Sequence, residues 1–425
     1  MRPTTKVALC IGLALVSLGR AQNERLVRDD WIKFSIQAFV ERDDNRDGVG
    51  SNYEHEDNVG RYRYRKTSWT KYGIGPGIHF YKDYKRGSLK LEYTPIYQWW
   101  QNPRVGRRRS EWTHFAYGEI KFNSGERTEF YVRDSFKYID DPNIYMGGDE
   151  PEFDPENKHL REEDSHYDNR LSASMQYRLS QRLYSRLSGY WRVRRYDDDY
   201  LSTVGDEDDW GVSLYTYRQQ TALFSYGVNL AYTNYDRDNI HDLEMGLETY
   251  SIGIGGSYKA NKYVDLKANF GYERAVHEDS EISDRNYPTE TKVEAHITPN
   301  LKSRVVLGVK LDVDEGYVFP YVSQERLAFY SMLTYRHTQR ISTTWRLDYR
   351  YCDYKVKYSS PSAPEEAFYR KRDGSREELF MRAGINYRLD NALTLSAYYS
   401  YEDIDSKVTT SYKRNTIGAR VKYEF

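Results

Sequence analysis

The stretch that most constrains the fold is the last one, Tyr412 to Phe425, which reads YKRNTIGARVKYEF. From Asn415 its odd positions are Asn415, Ile417, Ala419, Val421, Tyr423 and Phe425. Its even positions are Arg414, Thr416, Gly418, Arg420, Lys422 and Glu424. Side chains alternate across a strand with period two, so one face is mostly apolar with an aromatic end and the other is polar and basic. Such a strand belongs at a boundary between an apolar and a wet environment. An edge strand of a soluble sheet satisfies that, and so does the wall of a barrel in a membrane.

The rest of the chain repeats the rhythm. Trp31 to Glu41 carries Ile32, Phe34, Ile36, Ala38 and Val40 on one face, and Leu89 to Trp99 carries Leu89, Leu91, Tyr93, Tyr97 and Trp99. Trp112 to Phe122 runs into Asn123-Ser124-Gly125, a short hairpin signal, and Thr128 to Tyr138 returns. Continued to the end, the pattern predicts about eighteen strands, an even number within the range for single-chain barrels. The connections alternate in length. Ser180-Gln181-Arg182 and Asp390-Asn391 are short, whereas 43–66, 140–166, 197–209, 277–287 and 355–374 are long and charged. Propellers and sandwiches have no reason to sort their connections this way.

Composition agrees only with a barrel. With 30% charged residues and a mean hydropathy of −0.88 the chain looks soluble, yet 16% aromatics and 43 tyrosines are far too many for a disordered one. After the N-terminus no apolar run approaches the roughly 20 residues of a spanning helix. In a barrel only alternate strand residues meet lipid, and the loops are free to be polar. Trp69, Trp99, Trp112, Trp191, Trp210, Tyr258 and Tyr401 fall where interfacial girdles are expected. The fold expected is therefore all-β, a transmembrane antiparallel barrel. Residues 1–21 read as a signal peptide: Arg2 and Lys6, an apolar core at Val7 to Leu18, and a small-x-small site at Gly19-Arg20-Ala21. The barrel then spans 22–425 and retains one cysteine, Cys352, which excludes an internal disulfide.

The closing strand, with Tyr423 and a final Phe425, resembles the membrane assembly signal of bacterial outer-membrane barrels. The stretches SRVVLGVKL, RLAFYSMLTYRHTQRISTTWRLDYRY and LTLSAYYSYEDIDSKVTTSYKRNTIGARVKYEF, with AFVERDDN and LKLEYTPIYQWW near the start, resemble the beta-barrel porin type-two family. That resemblance implies a cell outer-membrane location and contact with lipid, lipopolysaccharide and the barrel assembly machinery. It also implies a conduit for solutes or for exopolysaccharide.

If the apolar faces meet lipid, the opposite faces line a lumen. Arg133, Arg178, Arg186, Arg192, Arg346, Arg350, Arg382, Arg388, Arg414, Arg420 and Lys422 fall there, as do Tyr131, Tyr190, Tyr330 and Tyr398. On this count basic groups outnumber acids, and a cleft of one sign concentrates the opposite one. The function expected is a porin-like channel for small solutes or an acidic polysaccharide. An equally weighted reading has the arginines pairing with acids across strands to hold the wall rigid. A non-conducting surface adhesin or scaffold is the alternative function, and a surface hydrolase a remote one. His55-Glu56-Asp57, His241-Asp242 and His277-Glu278-Asp279 carry no catalytic spacing, so no enzyme and no catalytic residue is expected. Nor is a nucleic-acid partner, because the basic groups would be enclosed.

Asp43, Asn45, Asp47, Val49 and Glu54 sit at calcium-loop positions one, three, five, seven and twelve, with Gly48 at the turn. Gly50 departs from the pattern and strands flank the loop, which favours a solvated acidic hairpin tip over a metal site. Calcium is the sole cofactor suggested. The acidic runs Asp149 to Glu156 and Asp206 to Asp209 read as outer loops facing solvent or divalent ions at the lipopolysaccharide surface.

Overall fold

The structure is a computed structural model. It describes residues 31–45, 54–57, 60–63, 68–101, 110–139, 166–196, 206–237, 246–277, 285–287, 291–315, 321–357, 374–390, 392–407 and 411–425. The expected signal peptide, most of each long loop and the Asp149 to Glu156 run lie outside these residues.

Each alternating segment is a strand. They are β1 (Ile32–Asp43), β2 (Trp69–Tyr84), β3 (Gly87–Gln101), β4 (Ser110–Ser124), β5 (Thr128–Ile139) and β6 (His166–Arg178). Next come β7 (Leu183–Tyr196), β8 (Glu207–Gln219), β9 (Phe224–Arg237), β10 (Leu247–Asn261), β11 (Val264–His277) and β12 (Thr291–Asn300). The last six are β13 (Ser303–Glu315), β14 (Tyr321–Arg336), β15 (Ile341–Lys357), β16 (Gly374–Arg388), β17 (Leu393–Ser406) and β18 (Tyr412–Glu424). All eighteen pair antiparallel with their sequence neighbours, and β18 pairs with β1 to close the barrel. A short strand, Arg285–Tyr287, adds to β11, and a small hairpin, Glu54–Asp57 with Gly60–Arg63, lies between β1 and β2.

Closure follows from the register. Ser35 faces Glu424 and Asp43 faces Thr416. Phe34 and Phe425 exchange both backbone hydrogen bonds, at 2.9 and 2.8 Å. A closed sheet has no unpaired edge, the condition for placing strands in hydrocarbon. The Phe425 ring is half exposed on the outer face, 6.0 Å from Phe34 and 5.9 Å from Tyr423. Phe425→Asp is expected to lower the yield of assembled barrel several-fold while leaving the conductance of each assembled barrel intact. A charge near the membrane interface itself costs only about 1 kcal/mol or less, so normal yield would remove the assembly role assigned to this residue.

The apolar set faces outward, as the alternation requires: Trp191, Ile254 and Ile417 are 54%, 64% and 60% exposed. Short turns gather at the end where Trp31 and Phe425 lie, and half of them use one device. Ser180, Thr221, Thr338 and Asp390 each accept, through a side-chain oxygen, the amide N–H two and three residues on. The two amides hold the Asp390 carboxyl below its usual range. Between β4 and β5 the expected hairpin instead places Gly125 at φ +76°, where a side chain would be strained.

Two expectations are corrected. Trp69 is not in a girdle. It points inward, 2% exposed, and stacks on Trp100 at 6.2 Å. Trp99, its apolar-face neighbour in sequence to Trp100, does face outward against Tyr72. The run Asp206 to Asp209 is not a solvated outer loop either. Glu207 and Asp209 open β8 and point inward, 1% and 2% exposed, opposite Arg194 and Arg192. Strands continue past the apolar stretch toward the long loops, and there charge marks an inward ion pair rather than a loop.

Candidate functional site

The inward faces divide the barrel into two halves. Toward the long loops, charges are buried and paired. The Asp168 carboxylate takes Arg192 at 2.6 Å and Arg194 at 3.2 Å, and Arg194 also reaches Glu207 at 3.2 Å. Asp312 accepts both the Nε and Nη2 of Arg326, at 2.9 and 2.5 Å, and Lys310 at 2.7 Å. Such fork-on-carboxylate geometry is what a buried pair needs to offset desolvation. Arg346 binds Asp348 at 2.5 Å, Arg376 binds Glu378 at 2.7 Å with Arg350 at 3.9 Å, and Arg414 lies 3.6 Å from Glu402 and 3.7 Å from Asp43. Lys71, fully buried, sits 3.2 Å from Glu41. Gln98, Ile96 and Thr113 are fully buried in the same half.

Two contacts in this wall share an unusual route. Glu41, Gly418 and Tyr398 lie side by side on β1, β18 and β17, and Tyr398 crosses β18 over the glycine to donate its hydroxyl to Glu41. Glu294, Gly308 and Tyr330 repeat this on β12, β13 and β14, with a 2.7 Å bond. A Cβ at either glycine would fall inside the tyrosine ring's van der Waals envelope, so the close approach requires glycine.

Toward the short turns the wall opens. Arg186 is exposed inside the barrel and donates to the Gln176 side chain at 2.7 Å. Arg178 reaches the Glu126 carbonyl at 2.8 Å. Between these halves lies a cavity of about 660 Å³ against β5 to β14. Its floor is made of small polar residues, among them Ser172, Ser174, Ser188, Ser213, Asn229 and Thr249. Six basic side chains border it (Arg170, Arg186, Arg192, Lys292, Lys310 and Arg326) against three acids, Asp209, Glu273 and Asp312. The cavity is thus off-centre, against a stretch of wall rich in small side chains.

All eleven lumenal basic residues singled out in the sequence occupy inward register positions, but in different surroundings. Arg192, Arg346, Arg350 and Arg414 belong to the buried pairs. Arg382 stacks over Tyr398 at 3.9 Å and Arg133 over Tyr117 at 5.1 Å. Lys422 pairs with Glu424 at 2.7 Å. Arg388 is exposed near the turn end, and Arg420 faces inward on β18 opposite Phe39 and Ser396. Inward acids are more numerous than the alternation suggested, because Asp43, Asp168, Glu207, Asp209, Glu378 and Glu402 lie beyond the apolar stretches. The four lumenal tyrosines singled out are each engaged by a neighbour. Tyr330 and Tyr398 are braced as described, Tyr131 donates to Glu119 at 3.1 Å, and Arg170 covers Tyr190 at 4.7 Å. Three inward tyrosines that the sequence reading passed over, Tyr184, Tyr215 and Tyr217, stack on one another.

Of the calcium-pattern residues, Asp43 and Asn45 are buried at the β1–β18 seam. The Asn45 amide N–H donates to Asp43 at 2.7 Å, and its side chain donates to the Lys413 carbonyl at 2.8 Å. Asp47 and Val49 lie outside the described residues, as does the side chain of Glu54. Among the described residues no group of three His, Cys, Asp or Glu side chains is placed to hold a metal. His277 is buried inward at the end of β11, and His241 lies outside the described residues. Cys352 is a buried free thiol.

The chain belongs to the family of the outer membrane protein beta-barrel domain, which matches residues 210–425, and it is an outer-membrane protein. The finer porin type-two assignment is narrower than this match. Curated proteins yield no match. Among solved structures the chain is similar to OccK5 (OpdH) of Pseudomonas aeruginosa, at 10% identity and a TM-score of 0.47, covering 93% of this chain and 99% of that one. OpdQ of the same organism gives 9% and 0.47, covering 94% and 99%. The siderophore receptor PirA of P. aeruginosa gives 7% and 0.46, covering 93% and 80%.

Proposed function

We propose that the protein is an outer-membrane channel for anionic solutes, either small ones or an acidic polysaccharide. The observation that carries this reading is the off-centre cavity, where basic side chains border a floor of serines and amides. A low-dielectric wall carrying an excess of one charge raises the local concentration of the other. Arg178, Arg186 and Arg388, which pair with no carboxylate among the described residues, set the preference at the turn end. The buried pairs of the other half keep the wall rigid. No catalytic step is part of this function.

Purified barrel in planar bilayers is expected to show open-channel current with anion selectivity under a salt gradient. Changing Arg178, Arg186 and Arg388 together to Gln should shift the reversal potential toward zero. Cation selectivity in the unaltered protein would overturn the anion assignment. The tight burial of Lys71, Gln98 and Thr113 in the loop-side half favours a second reading, a barrel that does not conduct and acts as a surface adhesin or scaffold. Zero current supports that reading instead.

A further inference from the structure

Tyr184, Tyr215 and Tyr217 form a stack on the inner wall of β7 and β8, near the turn end. The Tyr184 and Tyr217 rings lie 5.1 Å apart at 9°, and Tyr217 and Tyr215 lie 5.4 Å apart at 21°. The register sets Tyr217 opposite Tyr184 and Tyr215 opposite Arg186. Two other inward tyrosines are tied to carboxylates: Tyr117 donates to Glu119 at 2.5 Å and Tyr330 to Glu294 at 2.7 Å. The hydroxyls of the stacked three make no hydrogen bond among the described residues. All three rings are half-buried, and Arg186 beside them lines the cavity together with Ser188 and Ser213.

We propose that this stack with Arg186 is a binding platform for an acidic saccharide, a reading that rests on the channel function above and names its substrate class. A tyrosine offers an apolar ring face and a polar tip. The C–H face of a pyranose packs on such a ring while the sugar hydroxyls bond the phenol oxygens and the neighbouring serines. A uronate carboxylate meets the Arg186 fork, the geometry that guanidinium recognises best. Short turns lie on the periplasmic side of outer-membrane barrels, so a chain arriving from the periplasm meets the platform first and the cavity next.

The test is calorimetric titration of the detergent-solubilised full barrel with tetragalacturonate and with maltotetraose. The unaltered barrel is expected to bind tetragalacturonate more tightly than maltotetraose. Tyr215→Ala and Tyr217→Ala should each weaken both by about tenfold, about 1.4 kcal/mol, and Tyr217→Phe, which keeps the ring, should lose much less. Arg186→Gln should weaken tetragalacturonate alone. Assembly of each variant is checked by its heat-dependent gel mobility. If the alanine variants fail to assemble, Ser213→Trp, which fills the approach and leaves the stack intact, should abolish binding. Assembled alanine variants that bind like the unaltered barrel would overturn the platform, as would unchanged binding by Ser213→Trp. A barrel that conducts anions and binds neither saccharide also overturns the platform and leaves the channel standing. One that binds tetragalacturonate and carries no current overturns the channel alone.

Discussion

Asp312→Ala is expected to destabilise the assembled barrel by about 3–5 kcal/mol, the usual effect of removing one partner from a buried pair. The substitution leaves Arg326, 4% exposed, without the carboxylate that now takes two of its N–H groups, and it strips Lys310 of the same partner. Most of the loss comes from the charge left behind rather than from the pair's own net stabilisation. Replacing both members with apolar residues of similar volume, Asp312→Leu with Arg326→Met, should therefore recover most of the stability. Denaturant titration in lipid vesicles, read by tryptophan fluorescence, measures both. A loss of less than about 1 kcal/mol for the single variant would mean that water reaches the pair as it does at a surface.

Gly418→Val is the second large effect, about 2–4 kcal/mol, combining overpacking with an unsatisfied acceptor. The new side chain would occupy the space through which Tyr398 reaches Glu41, so the ring must swing away and the Arg382 stack goes with it. Tyr398→Ala made in the same chain vacates that space. The double variant should then lose less than the sum of the two single ones, a coupling of the kind expected for residues in contact. Strict additivity would show that glycine is needed at 418 for some reason other than the crossing ring.

All eighteen strands were legible in the sequence because a lipid-facing wall enforces period two wherever hydrocarbon touches it. The legibility ended where the hydrocarbon ends. At Asp43, at Trp69 to Lys71, at Glu207 to Asp209 and at Gly374 to Glu378 the outward residues are polar too, so strand and acidic loop look alike. The inward direction of each arginine could be read from parity, but its partner could not, since Asp168 with Arg194 and Asp312 with Arg326 meet through cross-strand register. The tyrosine stack was hidden for the same reason: Tyr184 and Tyr217 are far apart in sequence and opposite one another only once β7 and β8 are aligned.

The tyrosine that crosses Gly418 also bears on how the barrel finds its final alignment. A slip of one residue between strands turns every side chain to the wrong face and is rejected by lipid. A slip of two preserves the faces, so hydrophobicity alone does not discriminate against it. At the β17–β18 junction such a slip would bring Thr416 or Arg420, the inward neighbours of Gly418, beneath the Tyr398 ring. Neither leaves room for it, and Glu41 would lose the Tyr398 hydroxyl. The glycine thus acts as a notch that only one alignment can engage, and it lies at the seam where the first and last strands must pair.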